Sequence, residues 1–274
     1  MTDKPLHIAI IGSGSGAFAA AIRAAETGAR ITMIEAGTVG GTCVNVGCVP
    51  SKITLRAAEI QHRHAHHPFE GISRESGTVD RAALLEQVRG RVDELRASKY
   101  EGILDDQPTI EFLAGRARFR DAHTLVVELA SGTEQSVQAD RVLIATGASP
   151  ALPPIPGLAD TPYWTSTEAL FTEATPARMV IIGSSFVALE SAQAYQRLGT
   201  AVTVLARRTL LGRDDPDVGV TMQEALESEG VRVLTHTSPR EVSHDADTFR
   251  ITLDDETLTA EKLLVATGRQ ANTA

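Results

Sequence analysis

The sequence predicts an α/β chain of two three-layer domains, the second inserted in the first, and three observations carry that reading. A strand from Leu6 to Ile11 runs into the turn Gly12-Ser13-Gly14-Ser15-Gly16-Ala17 and then an alanine-rich helix. The same order recurs where a strand from Met179 to Ile182 meets Gly183-Ser184-Ser185-Phe186-Val187-Ala188. Each half also closes on a strand ending in Ala-Thr-Gly, at Ala145-Thr146-Gly147 and again at Ala266-Thr267-Gly268. Strand, glycine turn and helix in that order form the context in which a glycine pattern marks a Rossmann-like nucleotide-binding unit.

In the first unit Gly12 permits the tight turn and Gly14 lets the backbone approach a pyrophosphate seated on the helix N-terminus. Ala17 is small enough for close helix-to-strand packing. The next strand, Arg30 to Ile34, ends in Glu35, at the distance where a carboxylate receives ribose hydroxyls. A generic βαβ unit without ligand is the alternative. The stretch Gly40 to Lys52 comes next and holds the chain's only two cysteines, Cys43 and Cys48. Four intervening residues are too many for a Cys-x-x-Cys zinc knuckle, and no second pair completes a tetrahedral site. A disulfide closing so short a loop would constrain little of the unfolded chain, so redox chemistry is favoured over a structural staple. Pro50 suits the start of a helix running through Ala57 and Ile60. Thiols near such a start feel its positive end, which favours the reactive thiolate. Lys52 adds a cation there, or is a solvated surface lysine.

Further along, His62, His64, His66 and His67 are expected to form a solvated helix end rather than a metal site, since no fixed carboxylate accompanies them. Leu84, Leu85, Val88, Val92, Leu95 and Ile103 recur at helical spacing, predicting a long helix from Asp80 to Leu104. Strands are expected at Ile110 to Leu113, Leu125 to Leu129 and Arg141 to Ala145, with Gly115 and Asp121 as turn signals. The proline-rich Ala148 to Pro156 is a boundary, giving a first domain at 1–150 that resumes at 268–274, and a second at 151–267. In the second glycine turn Ser185 takes the place of the middle glycine, between Gly183 and the small Ala188. The strand Ala201 to Leu205 ends in Ala206-Arg207-Arg208, with Arg213 beyond. Arginine there pairs with a 2′-phosphate where a carboxylate would repel it, so NADPH is the expected nicotinamide; solvated arginines are the alternative. A helix at Pro216 to Glu229 and strands at Val231 to Leu234, Glu241 to Val242, Arg250 to Leu253 and Lys262 to Ala266 complete the domain. The chain stops six residues after Gly268, so a C-terminally truncated protein is expected.

Composition excludes some partners. Of 274 residues 42% are hydrophobic, enough for real cores, while the net charge of -9 and the lack of a basic run argue against nucleic acid. No apolar stretch is long enough to span a bilayer, and Met1 to Pro5 leads directly into a strand, so no membrane partner and a cytoplasmic location are expected.

The two glycine turns, the cysteine stretch and both Ala-Thr-Gly segments, in this order, resemble the flavin-dependent pyridine nucleotide-disulfide oxidoreductases, the family of glutathione reductase and dihydrolipoamide dehydrogenase. The resemblance covers essentially the whole chain and implies a glutathione reductase-like fold of an FAD-binding and an NADPH-binding domain. It implies FAD on the first glycine turn, with Glu35 on the adenosine ribose and Gly37, Gly41, Thr42, Lys52 and Ala117 at further contacts. Thr146, Gly147 and Gly268 belong to the same cofactor-contact set. It makes Cys48 the thiol facing the flavin, Cys43 the thiol that exchanges with substrate, and Lys52 the partner of Glu190. Phe186 takes the position that gates the nicotinamide pocket, and Arg207 and Arg213 those that hold the 2′-phosphate.

Within the family, Val92 to Arg96 with Lys99 to Leu104, Pro162 to Leu170 and Gly183-Ser184-Ser185 are similar to the branch that reduces Hg(II) to volatile Hg(0). That likeness implies transient Hg(II) on Cys43 and Cys48, and a homodimer for the full-length enzyme. A reductase of small disulfides and a non-catalytic thiol fragment that sequesters Hg(II) are the other readings. The branch's paired-cysteine tail, the family's later Gly-Asp motif and its dimerisation domain are not in these residues.

Overall fold

The computed structural model describes residues 4–74 and 77–273; residues 1–3, ahead of the first strand, and Ala274, at the end of the expected return to the first domain, lie outside the described residues. The chain divides into two compact units, one of residues up to 49, 89–149 and 271 onward, the other of 50–88 and 150–270. Residues 50–88, read from sequence with the first domain, group with the second. Apolar packing accounts for this: Leu55, Ala58 and Val79 cluster with Ala194 and Leu198.

The first unit is built on a six-stranded sheet. Strands β1 (His7–Ile11), β2 (Arg30–Glu35), β3 (Ile110–Asp121), β4 (Thr124–Leu129), β5 (Glu134–Gln138) and β6 (Arg141–Ile144) lie in the order β5-β4-β3-β2-β1-β6. The pairs β1·β2, β2·β3 and β1·β6 are parallel, whereas β3·β4 and β4·β5 are antiparallel. Helix α1 (Ser15–Glu26) buries Ala17, Phe18 and Ala21 against Ile10, Ile31 and Met33. Short α2 (Gly41–Val46) comes after β2, and α3 (Cys48–Ala65) starts at the end of this segment and belongs from Pro50 on to the second unit. The expected long helix is three pieces: α4 (Arg81–Arg96), a π turn (Ala97–Glu101) and α5 (Gly102–Asp106).

Gly115 is a correction. Expected as a turn, it lies inside β3 opposite Leu129, and a Cβ there would sit 2.5 Å from the Glu128 carbonyl oxygen. Glycine is needed because the neighbouring strand comes so close. The strand β3 therefore runs on to Asp121, where the chain turns into β4. Strand β5, Glu-Gln-Ser-Val-Gln, was not expected; it buries Val137 and presents mostly polar side chains, so it carries little hydrophobic signal.

In the second unit, after β7 (Ala148–Pro150) and α6 (Ser166–Leu170), come β8 (Arg178–Ile182), α7 (Phe186–Arg197), β9 (Ala201–Leu205) and α8 (Pro216–Ser228). Beyond them lie β10 (Arg232–Leu234), β11 (Glu241–Asp245), β12 (Thr248–Thr252), β13 (Thr257–Ala260), β14 (Lys262–Val265) and β15 (Arg269–Ala271). The parallel sheet β10-β9-β8-β14 is covered on both faces, as its continuous apolar strands require. Alternation in β8 serves both covers. Met179 and Ile181 join Ala188, Leu189 and Ala192 of α7, whereas Val180 and Ile182 join Phe249 and Ile251 of the antiparallel sheet β11-β12-β13.

The Gly115 contact predicts that Gly115→Ala in the full-length protein lowers stability by about 1–3 kcal/mol, the usual range for overpacking. Urea unfolding measures it, and an unchanged midpoint with an unchanged slope would mean that β3 and β4 part without cost.

Candidate functional site: two glycine turns and a thiol pair

Both glycine turns are shaped by one contact. Gly12 has φ +111°, and a Cβ on it would lie 2.2 Å from the Ala145 carbonyl oxygen; Gly183 has φ +142°, and its Cβ would lie 2.3 Å from that of Ala266. The two Ala-Thr-Gly segments therefore share a structural reason: each supplies the carbonyl that presses on the first glycine of its turn. Gly14 is different. A Cβ there would meet nothing within 4 Å, so its backbone borders open space at the start of α1. Neither α1 nor α7 has a side-chain cap or an acidic residue in its first turn, which leaves both N-termini fit to receive an anion.

Glu35 closes the first turn. Its Oε2 accepts from Ser13 N at 2.9 Å and Ser13 Oγ at 2.7 Å, and its Oε1 accepts from Gly37 N at 2.7 Å. Ser13, fully buried, was not singled out from the sequence; its signal was a serine beside the glycines, with an acid at the end of the next strand. Its carbonyl accepts from Gly40 N at 3.0 Å, and Gly14 and Gly40 form a parallel β-bridge. Gly41, at φ +63°, would put a Cβ 2.7 Å from Gly14 Cα. The glycine turn and the cysteine stretch are thus joined backbone to backbone.

The thiols lie on two helices. Cys43 is half-buried in α2 and Cys48, exposed, opens α3; both are thiols here. Gly47 separates the helices, and a Cβ on it would be 2.9 Å from the Thr42 carbonyl oxygen. A hydrogen bond to Cys48 is the largest cause pushing the Cys43 thiol above its ordinary pKa; burial adds to it, and a hydrogen bond from Ser15 opposes it. Thr42 is exposed on α2, and Ala117 sits in β3 opposite Val127, three residues past the Glu35–Ala114 pairing.

Lys52, one turn after Cys48 in α3, donates from Nζ to Glu190 Oε1 of α7. Ser185 caps α7 with an extended backbone (φ −91°), a conformation that does not need glycine. Phe186 is 60% exposed. Arg207 and Arg213 are exposed beyond β9, and Leu211 N donates to the Ser184 carbonyl at 2.9 Å, tying the arginine loop to the turn. Thr146 donates from Oγ1 to the Asn272 carbonyl, and Asn272 N donates to that of Gly147; the Gly268 carbonyl accepts from Ala151 N. The His62 and His66 rings stack at 4.2 Å, and among the described residues no three His, Cys, Asp or Glu converge as a metal site. No helix of the described residues is long and apolar enough to cross a membrane.

Residues 6–274 match the family model described as pyridine nucleotide-disulphide oxidoreductase. The chain belongs to this family. This oxidoreductase is 57% identical over 274 residues to a mercuric reductase of Shigella flexneri, matching 98% of the chain and 48% of the relative. It is 56% identical over 271 residues to one of Acidithiobacillus ferrooxidans, matching 98% of the chain and 50% of the relative. The chain spans about half the length of these relatives. Among solved structures, the HOCl-induced flavoprotein disulfide reductase RclA of Escherichia coli superposes with a TM-score of 0.83 at 28% identity, over 98% of this chain and 57% of that one. The cofactors of the oxidoreductase family are FAD and a nicotinamide nucleotide. The open backbone at Gly14 and the acid-free start of α1 suit the pyrophosphate of such a dinucleotide.

Removing Cys48 removes the largest cause of the raised Cys43 pKa. In Cys48→Ala the pH at which Cys43 is half-alkylated should therefore fall toward the ordinary thiol range, as measured by iodoacetamide labelling and mass spectrometry; a rise would contradict the hydrogen bond.

Proposed function

We propose that this chain carries the nucleotide-binding and dithiol part of an NADPH- and FAD-dependent enzyme that reduces Hg(II) to Hg(0). The observation that carries the reading is the thiol pair itself, joined by a hydrogen bond on adjoining helices and stitched to the glycine turn. Identity above half to mercuric reductases supports the choice of metal.

Gly14 would admit the FAD pyrophosphate at the start of α1, with Gly12 making the turn and Ala17 letting the helix pack on its strand, Glu35 toward the ribose and Gly37, Gly41, Thr42, Lys52 and Ala117 at the remaining contacts. Bound FAD supplies two-electron exchange between the nicotinamide and the thiols. Cys48, opening α3, is the thiol assigned to the flavin side. Cys43 keeps its proton through the hydrogen bond to Cys48 until substrate arrives. Binding of Hg(II) then displaces both thiol protons, since soft thiolates favour a soft metal ion. Overall, NADPH and Hg(II) give NADP⁺, Hg(0) and one proton. Leu55 and Ala58 of α3 pack on Ala194 and Leu198, and the Lys52–Glu190 pair, largely exposed, adds a little to that contact. Gly183, Ser185, Phe186, Ala188, Arg207 and Arg213 are assigned to NADPH, with Thr146, Gly147 and Gly268 at the segment ends. A cytoplasmic homodimer completes the reading.

Full-length protein should oxidise NADPH when Hg(II) and excess thiol are supplied. An equal rate with glutathione disulfide or lipoamide in place of Hg(II) would sink the proposal. For the nicotinamide, Arg207→Glu should raise the KM for NADPH by about tenfold or more, the loss of a charge-assisted contact, and leave that for NADH nearly unchanged. Equal changes with both nucleotides would remove Arg207 from the 2′-phosphate.

A further inference from the structure

The end of α4 and the π turn after it reach the thiol stretch at two points. Asn45, two residues after Cys43 in α2, donates from Nδ2 to the Val39 carbonyl at 2.8 Å and the Gly41 carbonyl at 2.9 Å. These bonds tie α2 to the segment that enters it. The amide oxygen is held in turn by Arg96, whose Nη1 donates to Asn45 Oδ1 at 3.0 Å. Arg96 is itself fixed: Nη2 pairs with Asp93 at 2.7 Å, Nε lies 3.4 Å from Glu101, and its side chain is 23% exposed. With the guanidinium on its oxygen, the Asn45 amide has one orientation.

The second point is Tyr100. Its ring packs edge-on to Phe18 at 5.0 Å and lies so close to Gly40 that a Cβ there would be 3.2 Å from it. Its hydroxyl is 3.2 Å from Ser15 Oγ, and Ser15 is the residue whose hydroxyl bonds the Cys43 sulfur. When Ser15 gives its proton to that sulfur, Tyr100 is left to donate to Ser15. The π turn Ala97–Glu101 carries Tyr100 and follows directly on Arg96, the last residue of α4, and such turns concentrate at functional sites.

We infer that Arg96 and Tyr100 are positioning residues for the Cys43 thiol, Arg96 acting through Asn45 to hold α2 and Tyr100 acting through Ser15 to aim a hydrogen bond at the sulfur. This rests on Cys43 and Cys48 being the redox pair. It assigns a role to the segment from Val92 to Leu104, whose likeness to one branch of the family had no chemical reason in the sequence. The two contacts act in opposite directions. Arg96 sustains the Cys43–Cys48 hydrogen bond that keeps the Cys43 proton on, whereas Tyr100 sustains the Ser15 bond that favours its loss.

The test is the pH profile of Cys43 alkylation by iodoacetamide in the reduced full-length protein, resolved from Cys48 by mass spectrometry. Arg96→Met should raise the Cys43 rate at neutral pH about threefold, because a larger fraction is thiolate. Asn45→Ser should do the same, so a folding failure of either variant leaves the other to be read. Tyr100→Phe keeps the ring on Phe18 and Gly40 and should lower the rate by about the same factor. Arg91→Met, on the same helix but paired with exposed Glu94, serves as the control and should change nothing. Opposite shifts support the inference, since general loosening of the loop would move all three rates the same way. Shifts in one direction, or none, overturn it. The measurement uses neither Hg(II) nor NADPH, so a different substrate for the enzyme would leave it readable.

Discussion

The first unit depends on the approach of two backbones, Gly14 of the nucleotide turn and Gly40-Gly41 of the thiol stretch. Any side chain at Gly41 would enter the Gly14 backbone, and one at Gly40 would meet Val44 and Tyr100. Because both partners are main chain, the separation between turn and thiol helix does not vary with rotamers. Ser13 and Glu35 lock the same junction by satisfying the amides that the tight turn leaves over. A cofactor seated on α1 would thus be held at a distance from the thiols set by peptide geometry.

The second unit repeats the first glycine and its pressing carbonyl but not the middle glycine. Ser185 has an ordinary extended backbone, so the substitution carries no conformational strain. What the serine costs is approach, not shape. The sheets of both units share a logic, in which apolar parallel strands must be covered on two faces. The second unit meets it with helices on one side and the small antiparallel sheet on the other.

Much of this was legible in the sequence because local patterns agreed with tertiary demands. The strand at Ala201 to Leu205 matches β9 at both ends, and the two glycine turns open helices where the strand–turn–helix order places them. The failures share a cause. Gly115 looks like a turn because glycine usually is one, yet its glycine answers a neighbouring strand, a contact remote in sequence. Helix α2 is a single short helix of small and β-branched residues, held by Asn45 rather than by periodicity. Strands β5 and β13 are short and half polar, so alternation hardly shows. In the site, the acid at Glu35 and both thiols were legible by spacing. Ser13, Asn45, Ser15 and Tyr100 were not, since their meaning lies in contacts across 22 to 85 residues or in carbonyls they bind.

The π turn at Ala97–Glu101 also bears on how this region can change by insertion and deletion. A π turn is an α-helix with one residue more than the pitch allows, and that surplus sets the register between the end of α4 and the start of α5. Losing one residue there would restore a regular helix and, because the wide turn takes up the surplus, leave the helix beyond facing the same way. Ile103 and Leu104 would still pack on the first core and Arg96 stay in place, whereas Tyr100, inside the wide turn, would lose its position. The surplus residue therefore serves the contacts of the turn itself, Tyr100 among them, and not the packing of the helices on either side.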